Sequence, residues 1–238
     1  MSVPNGVKSY YIRQIKGKTG HAIIQIDKSA QNCILLYGGA NECLTEEYVD
    51  EVLEGFEAGD MLLLQNEVNM IPYIVDKAYE KGMQIALNPS PFNDRLKDVD
   101  MSKIGLFLMN EVEGGQITGF TEPKDIIAKV VELYPNAKIV LTLGKDGVIY
   151  AEGDLRIHQP IFKVEAVDTT AAGDTFTGYF LAGLMGSMLG TIGSKVSIIP
   201  WYVALGALAF ATFVGVAAGY IPAKRAMNLS ALESLRNE

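Results

Sequence analysis

The run Val167-Asp168-Thr169-Thr170-Ala171-Ala172-Gly173-Asp174-Thr175-Phe176-Thr177-Gly178 carries the strongest chemical signal in the sequence. Small residues lead into a helix, so the backbone N–H groups of Ala171, Ala172 and Gly173 can converge on an anion without side-chain obstruction. Gly173 suits a close approach or an unusual backbone angle. Asp174 falls at the beginning of that helix, with its carboxylate near the anion. In phosphoryl transfer to an alcohol, an oriented carboxylate accepts the substrate proton while backbone dipoles stabilise the transferring group. The alternative for Asp174 is a helix N-cap, a role that Asp performs well.

Two further groups are candidates. Thr142, Leu143, Gly144, Lys145, Asp146 and Gly147 close a strand and open a hairpin, and two glycines three apart could let backbone approach a nucleotide. Glycine-bearing hairpins are common without any ligand. The segment is not a P-loop, because the Gly-x-x-x-x-Gly-Lys-Ser/Thr spacing is absent. Asn110 and Glu113 follow a buried strand and could orient phosphate and a hydrated magnesium ion. Their spacing is equally that of a capping box. His21 and His158 lie in strand-like runs without a second ligand nearby and read as structural histidines. Cys33 and Cys43 form no metal pattern with them and read as free thiols in a reducing compartment.

These groups need a scaffold, and the apolar pattern supplies one. Runs at His21–Ile26 and 33–37 flank a polar turn and read as a hairpin. Thr45 is a plausible N-cap for a helix to about Phe56, with Glu46 and Glu47 in its first turn but no Glu three residues on. Met61–Gln65, 83–87, 104–108 and Lys138–Thr142 read as buried strands, with helices over 70–81 and 122–133. Alternating strands and helices with short connections predict an α/β fold with a mostly parallel sheet flanked by helices. In such sheets functional groups sit past the C-terminal strand ends. Those positions hold Asn66 and Glu67, Asn88 and Pro89, Asn110 with Glu111 and Glu113, and Gly144 with Gly147. Turn chemistry alone would produce some of this pattern.

Charge divides the 238 residues unevenly. Residues 1–174 hold 26 of the 28 acidic and 16 of the 20 basic groups, a net −10, which disfavours nucleic-acid binding. The N-terminus is polar and unlike a secretory signal. Residues 196–221 carry no charge, hold Trp201 and Tyr202 near one end and Tyr220 near the other, and are followed by Lys224 and Arg225. This predicts a transmembrane helix over 196–221 with a cytoplasmic C-terminus, the alternative being a buried core helix. The glycine-rich stretch 175–194 reads as a second, weaker span or as the packing helix of the preceding domain. The tail from Gly219-Tyr220-Ile221-Pro222-Ala223-Lys224-Arg225-Ala226 to the terminal Glu233-Ser234-Leu235-Arg236-Asn237-Glu238 resembles the end of ABC-transporter permeases. The expected organisation is therefore a domain over 1–185 and a permease-like segment over 186–238.

Taken together, the body resembles the ribokinase (pfkB) family of carbohydrate kinases. The Asp168–Phe176 signature carries most of the likeness, with Thr19–Asp27, Gly38-Gly39-Ala40-Asn41, Leu62–Glu67, Leu87–Pro91, Asn110–Glu113 and 142–147 following in the expected order. The resemblance implies a ribokinase-like fold and ATP-dependent phosphoryl transfer to the 5-hydroxyl of D-ribose. Asp174 would be the base, and Ala171, Ala172 and Gly173 the anion hole. Asn110 and Thr142, Leu143, Gly144, Lys145, Asp146 and Gly147 would contact ATP. Glu113 would act on Mg2+ through water, Glu67 would touch the sugar, and Asp168 and Thr170 would help hold K+. A homodimer through the lid and a cytoplasmic domain, membrane-anchored by the C-terminal helix, complete the expectation. The family's leading strands, part of its lid, its sugar-holding Asp and its C-terminal adenine-enclosing Asn have no counterpart here, which predicts impaired turnover. The alternatives are an inactive nucleotide-binding fragment and a small membrane protein related to the permeases.

Overall fold

Short continuous apolar runs are the pattern of inner strands in a sheet covered on both faces. In the computed structural model, which describes residues 9–26, 32–161 and 172–190, three such runs form the centre of a six-stranded sheet. The chain divides into two units, Met1–Glu165 and Ala166–Glu238.

The first unit opens with an antiparallel hairpin, β1 (His21–Ile26) and β2 (Asn32–Tyr37). Helix α1 (Glu46–Glu54) follows, capped by the Thr45 hydroxyl, which accepts from the Tyr48 amide at 3.3 Å. The sheet then runs β3 (Met61–Gln65), β4 (Gln84–Asn88), β5 (Leu106–Asn110), β6 (Lys138–Thr142), β7 (Val148–Glu152) and β8 (Leu155–Gln159). Spatial order equals chain order. The pairings from β3 to β6 are parallel, and β7 and β8 return antiparallel.

Helices α2 (Ile71–Glu80), α3 (Glu111–Thr118) and α4 (Pro123–Leu133) connect the parallel strands. On α2 the buried residues Ile71, Ile74, Val75 and Ala78 recur at helical spacing and make one apolar stripe. Ile126, Ile127 and Val130 do the same on α4. The core also takes in Ile85 and Leu87 of β4, Phe107 of β5, and Ile139 and Leu141 of β6. The Phe107 ring lies 5.1 Å from that of Tyr134.

The expected strand boundaries hold at β1, β3 and β6 and move by one or two residues at β2, β4 and β5. The hairpin turn at 27–31 lies outside the described residues. Helix α3 was not expected as an element. Its sequence signal is the capping-box spacing of Asn110 and Glu113, which is equally the spacing of a ligand pair. In the second unit, helix α5 spans Ala172–Gly190, with Thr177 and Leu181 buried and the Phe176 and Phe180 rings stacked at 5.9 Å. No helix among the described residues is long and apolar enough to cross a membrane. That corrects the reading of the 175–194 stretch as a second span, as far as it is described. The expected transmembrane helix over 196–221 and the permease-like tail lie outside the described residues.

Candidate functional site

Parallel strands end together, so the four parallel strands deliver their following residues to one edge. Register fixes the neighbours: Gln65 pairs with Asn88, and Asn110 with Thr142. The edge therefore presents two adjacent groups, one after β3 and β4, the other after β5 and β6.

Beside the ends of β3 and β4, under the β1–β2 hairpin, lies a cavity of about 370 Å³. Its polar lining includes Glu42, Asn66, Glu67, Asn93 and Arg95, while Ala22, Leu36 and Tyr37 of the hairpin supply apolar wall. The His21 ring sits 5.0 Å from that of Tyr37, and its Nδ1 is 3.3 Å from the carbonyl of Thr19. Arg95 donates to Glu42 Oε1 at 2.6 Å and so ties the segment after the hairpin to the turn at Asp94–Asp98. With Glu42 neutralised, Glu67 is the carboxylate left at the cavity. It is exposed and makes no ion pair among the described residues. The carboxylate accepts hydrogen bonds and the neighbouring carboxamides both accept and donate, which suits a neutral polyhydroxyl ligand better than an anion.

The second group is built around α3. Asn110 Oδ1 accepts from the Glu113 amide at 2.9 Å, and Glu113 Oε2 accepts from the Asn110 amide at 2.9 Å. This is a complete capping box, and Glu113 is buried. Thr142 donates to the carbonyl of Met109 at 3.4 Å, joining the neighbouring strand ends. Gly144–Asp146 forms a single 3-10 turn, closed by the Leu143 amide on the Gly147 carbonyl at 2.8 Å. Gly144, Lys145 and Asp146 are exposed. Gly147 has φ +97°, and a Cβ there would stand 2.1 Å from the carbonyl oxygen of Gln159, so only glycine fits. His158 reaches the carbonyl of Asp146 through Nε2 at 2.9 Å and braces the turn from β8.

Of the signature segment, Asp168, Thr170 and Ala171 lie outside the described residues. Ala172 begins α5, and Asp174 is exposed in its first turn, inside the helix rather than at its N-cap. A Cβ on Gly173 would meet open space, and its φ is not in the left-handed region. Of the two roles expected for that glycine, the unusual backbone angle is therefore not seen. Glu42, Asn93 and Arg95 carry no sequence signal as site residues, because nothing in their spacing marks separate loops as neighbours.

The profile of the pfkB family carbohydrate kinases matches residues 4–189. This chain belongs to the pfkB family. Ribokinase of Staphylococcus aureus is 34% identical over 183 residues, which cover 74% of this chain and 60% of that protein. Deoxyribokinase of Salmonella typhi is 30% identical over 186 residues, with 74% and 60% covered. The structure of Arabidopsis thaliana ribokinase complexed with ribose and ATP superimposes with a TM-score of 0.58 at 25% identity, over 71% of this chain and 57% of that one. The pfkB chain described here thus spans about 60% of the length of the curated relatives it matches.

Proposed function

We propose that this chain carries the phosphoryl-transfer site of a ribokinase-type sugar kinase, acting on the 5-hydroxyl of D-ribose with ATP as donor. The observation that carries the reading is the cavity holding Glu67 at the ends of β3 and β4, alongside the 142–147 turn, exposed at residues 144–146, on the same sheet edge. One group suits a sugar, and the other offers exposed backbone to a nucleotide.

Asp174 takes the proton of the sugar hydroxyl. The sugar oxygen then bonds to the γ-phosphorus of ATP as the bond to the bridging oxygen breaks, and ADP leaves. The amides of Ala171, Ala172 and Gly173 stabilise charge on the transferring group. Asn110, Thr142, Leu143, Gly144, Lys145, Asp146 and Gly147 hold the nucleotide, and Glu67 orients the sugar. The Glu113 carboxylate, already engaged by the cap, fits Mg2+ only through water. A divalent ion there would neutralise phosphate charge. Asp168 and Thr170 are the proposed K+ ligands. The exposed Ile23 and Leu35, paired on one face of the hairpin, support a homodimer through the lid.

The test is transfer of label from γ-labelled ATP to D-ribose by the purified chain. Transfer well above that of Asp174→Ala supports the proposal, and transfer no greater than that of the variant sinks it.

A further inference from the structure

Asn66 follows β3 directly, precedes Glu67, and is buried in the cavity wall. Its Nδ2 donates to the carbonyl of Pro91 at 2.6 Å, and its backbone amide donates to the carbonyl of Ser90 at 3.0 Å. These two bonds pin the turn after β4 to the end of β3. The side-chain bond also fixes the orientation of the carboxamide, because exchanging its oxygen and nitrogen would set two carbonyl oxygens against each other.

With Nδ2 so used, Oδ1 is the acceptor left over. Among the described residues it is the buried side-chain polar atom that has no hydrogen-bond partner. On that turn the Ser90 amide is already taken by Asn88 Oδ1 at 3.1 Å. A buried acceptor without a donor is a standing cost that an apolar side chain of the same size would avoid. Oδ1 is shut off from bulk solvent, and because Asn66 lines the cavity, a ligand bound there is the source of a donor that the described residues do not supply.

We infer that Asn66 is a specificity-determining residue of the cavity, with Oδ1 accepting a hydrogen bond from one hydroxyl of the bound sugar. This rests on the sugar-kinase reading and deepens it. Glu67 contributes a carboxylate that any hydroxyl can approach from the open side. Asn66 contributes a single acceptor in a fixed wall, which distinguishes a sugar that carries the matching hydroxyl from one that lacks it.

Calorimetric titration with D-ribose and with its 2-deoxy, 3-deoxy and 5-deoxy analogues tests the inference, on the unaltered chain and on Asn66→Leu. For the unaltered chain, one analogue is expected to bind about tenfold more weakly than ribose. In Asn66→Leu that ratio collapses toward one, while the ratios for the other analogues stay. If every sugar weakens by the same factor in the variant, Asn66 only holds the wall and the inference is overturned. If the unaltered chain binds none of the sugars, the sugar-kinase reading falls as well, so the two failures are distinguishable. Thermal unfolding establishes that the variant is folded. Should the leucine prevent folding, Asn66→Ala removes the same acceptor without added bulk and gives the same comparison.

Discussion

Asn110 and Glu113 exchange two hydrogen bonds of 2.9 Å across the first turn of α3, each side chain accepting from the other residue's backbone amide. Cap and candidate ligand are therefore the same pair of residues. Asn110→Ala leaves the Glu113 amide without its acceptor and is expected to cost about 1 kcal/mol of stability. Glu113→Gln keeps a side-chain oxygen for the Asn110 amide and should cost less. Urea unfolding of the two variants checks the order, and equal losses would contradict a reciprocal cap.

The 142–147 turn makes a comparison between its own two glycines. Gly144 has φ +53° with open space around it, so Gly144→Ala pays only for the left-handed backbone, about 1–2 kcal/mol. Gly147→Ala adds a collision with the backbone of Gln159 and Pro160, which cannot swing aside. Its melting temperature should fall clearly below that of Gly144→Ala. A reversed order would mean that Gly147 does not pack against the backbone of Gln159.

Tyr73 links α2 to α1 by donating to both carboxylate oxygens of Asp50 at 2.9 and 3.0 Å. Desolvation first, then the bond to Asp50 and the nearby Glu46 and Glu47, push its phenol up to about 12. The fold thus favours the neutral form. Its stabilising contribution is complete below the ordinary tyrosine value near 10 and is lost as pH rises through the folded value. Phenolate absorbance, taken as the difference between the unaltered chain and Tyr73→Phe, should show a late-titrating tyrosine. Asp50→Asn should move that titration down.

The Glu42–Arg95 pair crosses from the segment after the hairpin to the sheet body, but its side chains are 33% and 57% exposed. A double-mutant cycle is expected to give a coupling of less than about 1 kcal/mol, weakening further with added salt. A much larger, salt-insensitive coupling would show that the pair is closed off from water.

The parts of this molecule written in local pattern were legible before the structure. Met61–Gln65 and Lys138–Thr142 are short apolar runs between polar breaks, and both are strands with the expected ends. Glu67 and the 142–147 turn could be placed because parallel topology alone sends strand ends to one edge. Arg95 and Glu42 could not, because their meeting depends on how two loops fold over that edge. Asn110 and Glu113 show a different limit: one spacing served two roles, and the structure shows the cap without removing the other. Asn66 was visible as a strand-end residue, yet its unpaired oxygen follows from the position of Pro91, 25 residues away.

The sheet grows in the same order as the chain, from β3 to β8. From β4 onward each strand therefore finds a partner in the strand synthesised just before it, and among the described residues no pairing in this sheet skips a strand. Assembly of this kind avoids the larger loop-closure entropy that pairing with a strand further along the chain would cost. It also suits folding during translation, when the earlier strands can be sheltered before the later ones leave the ribosome.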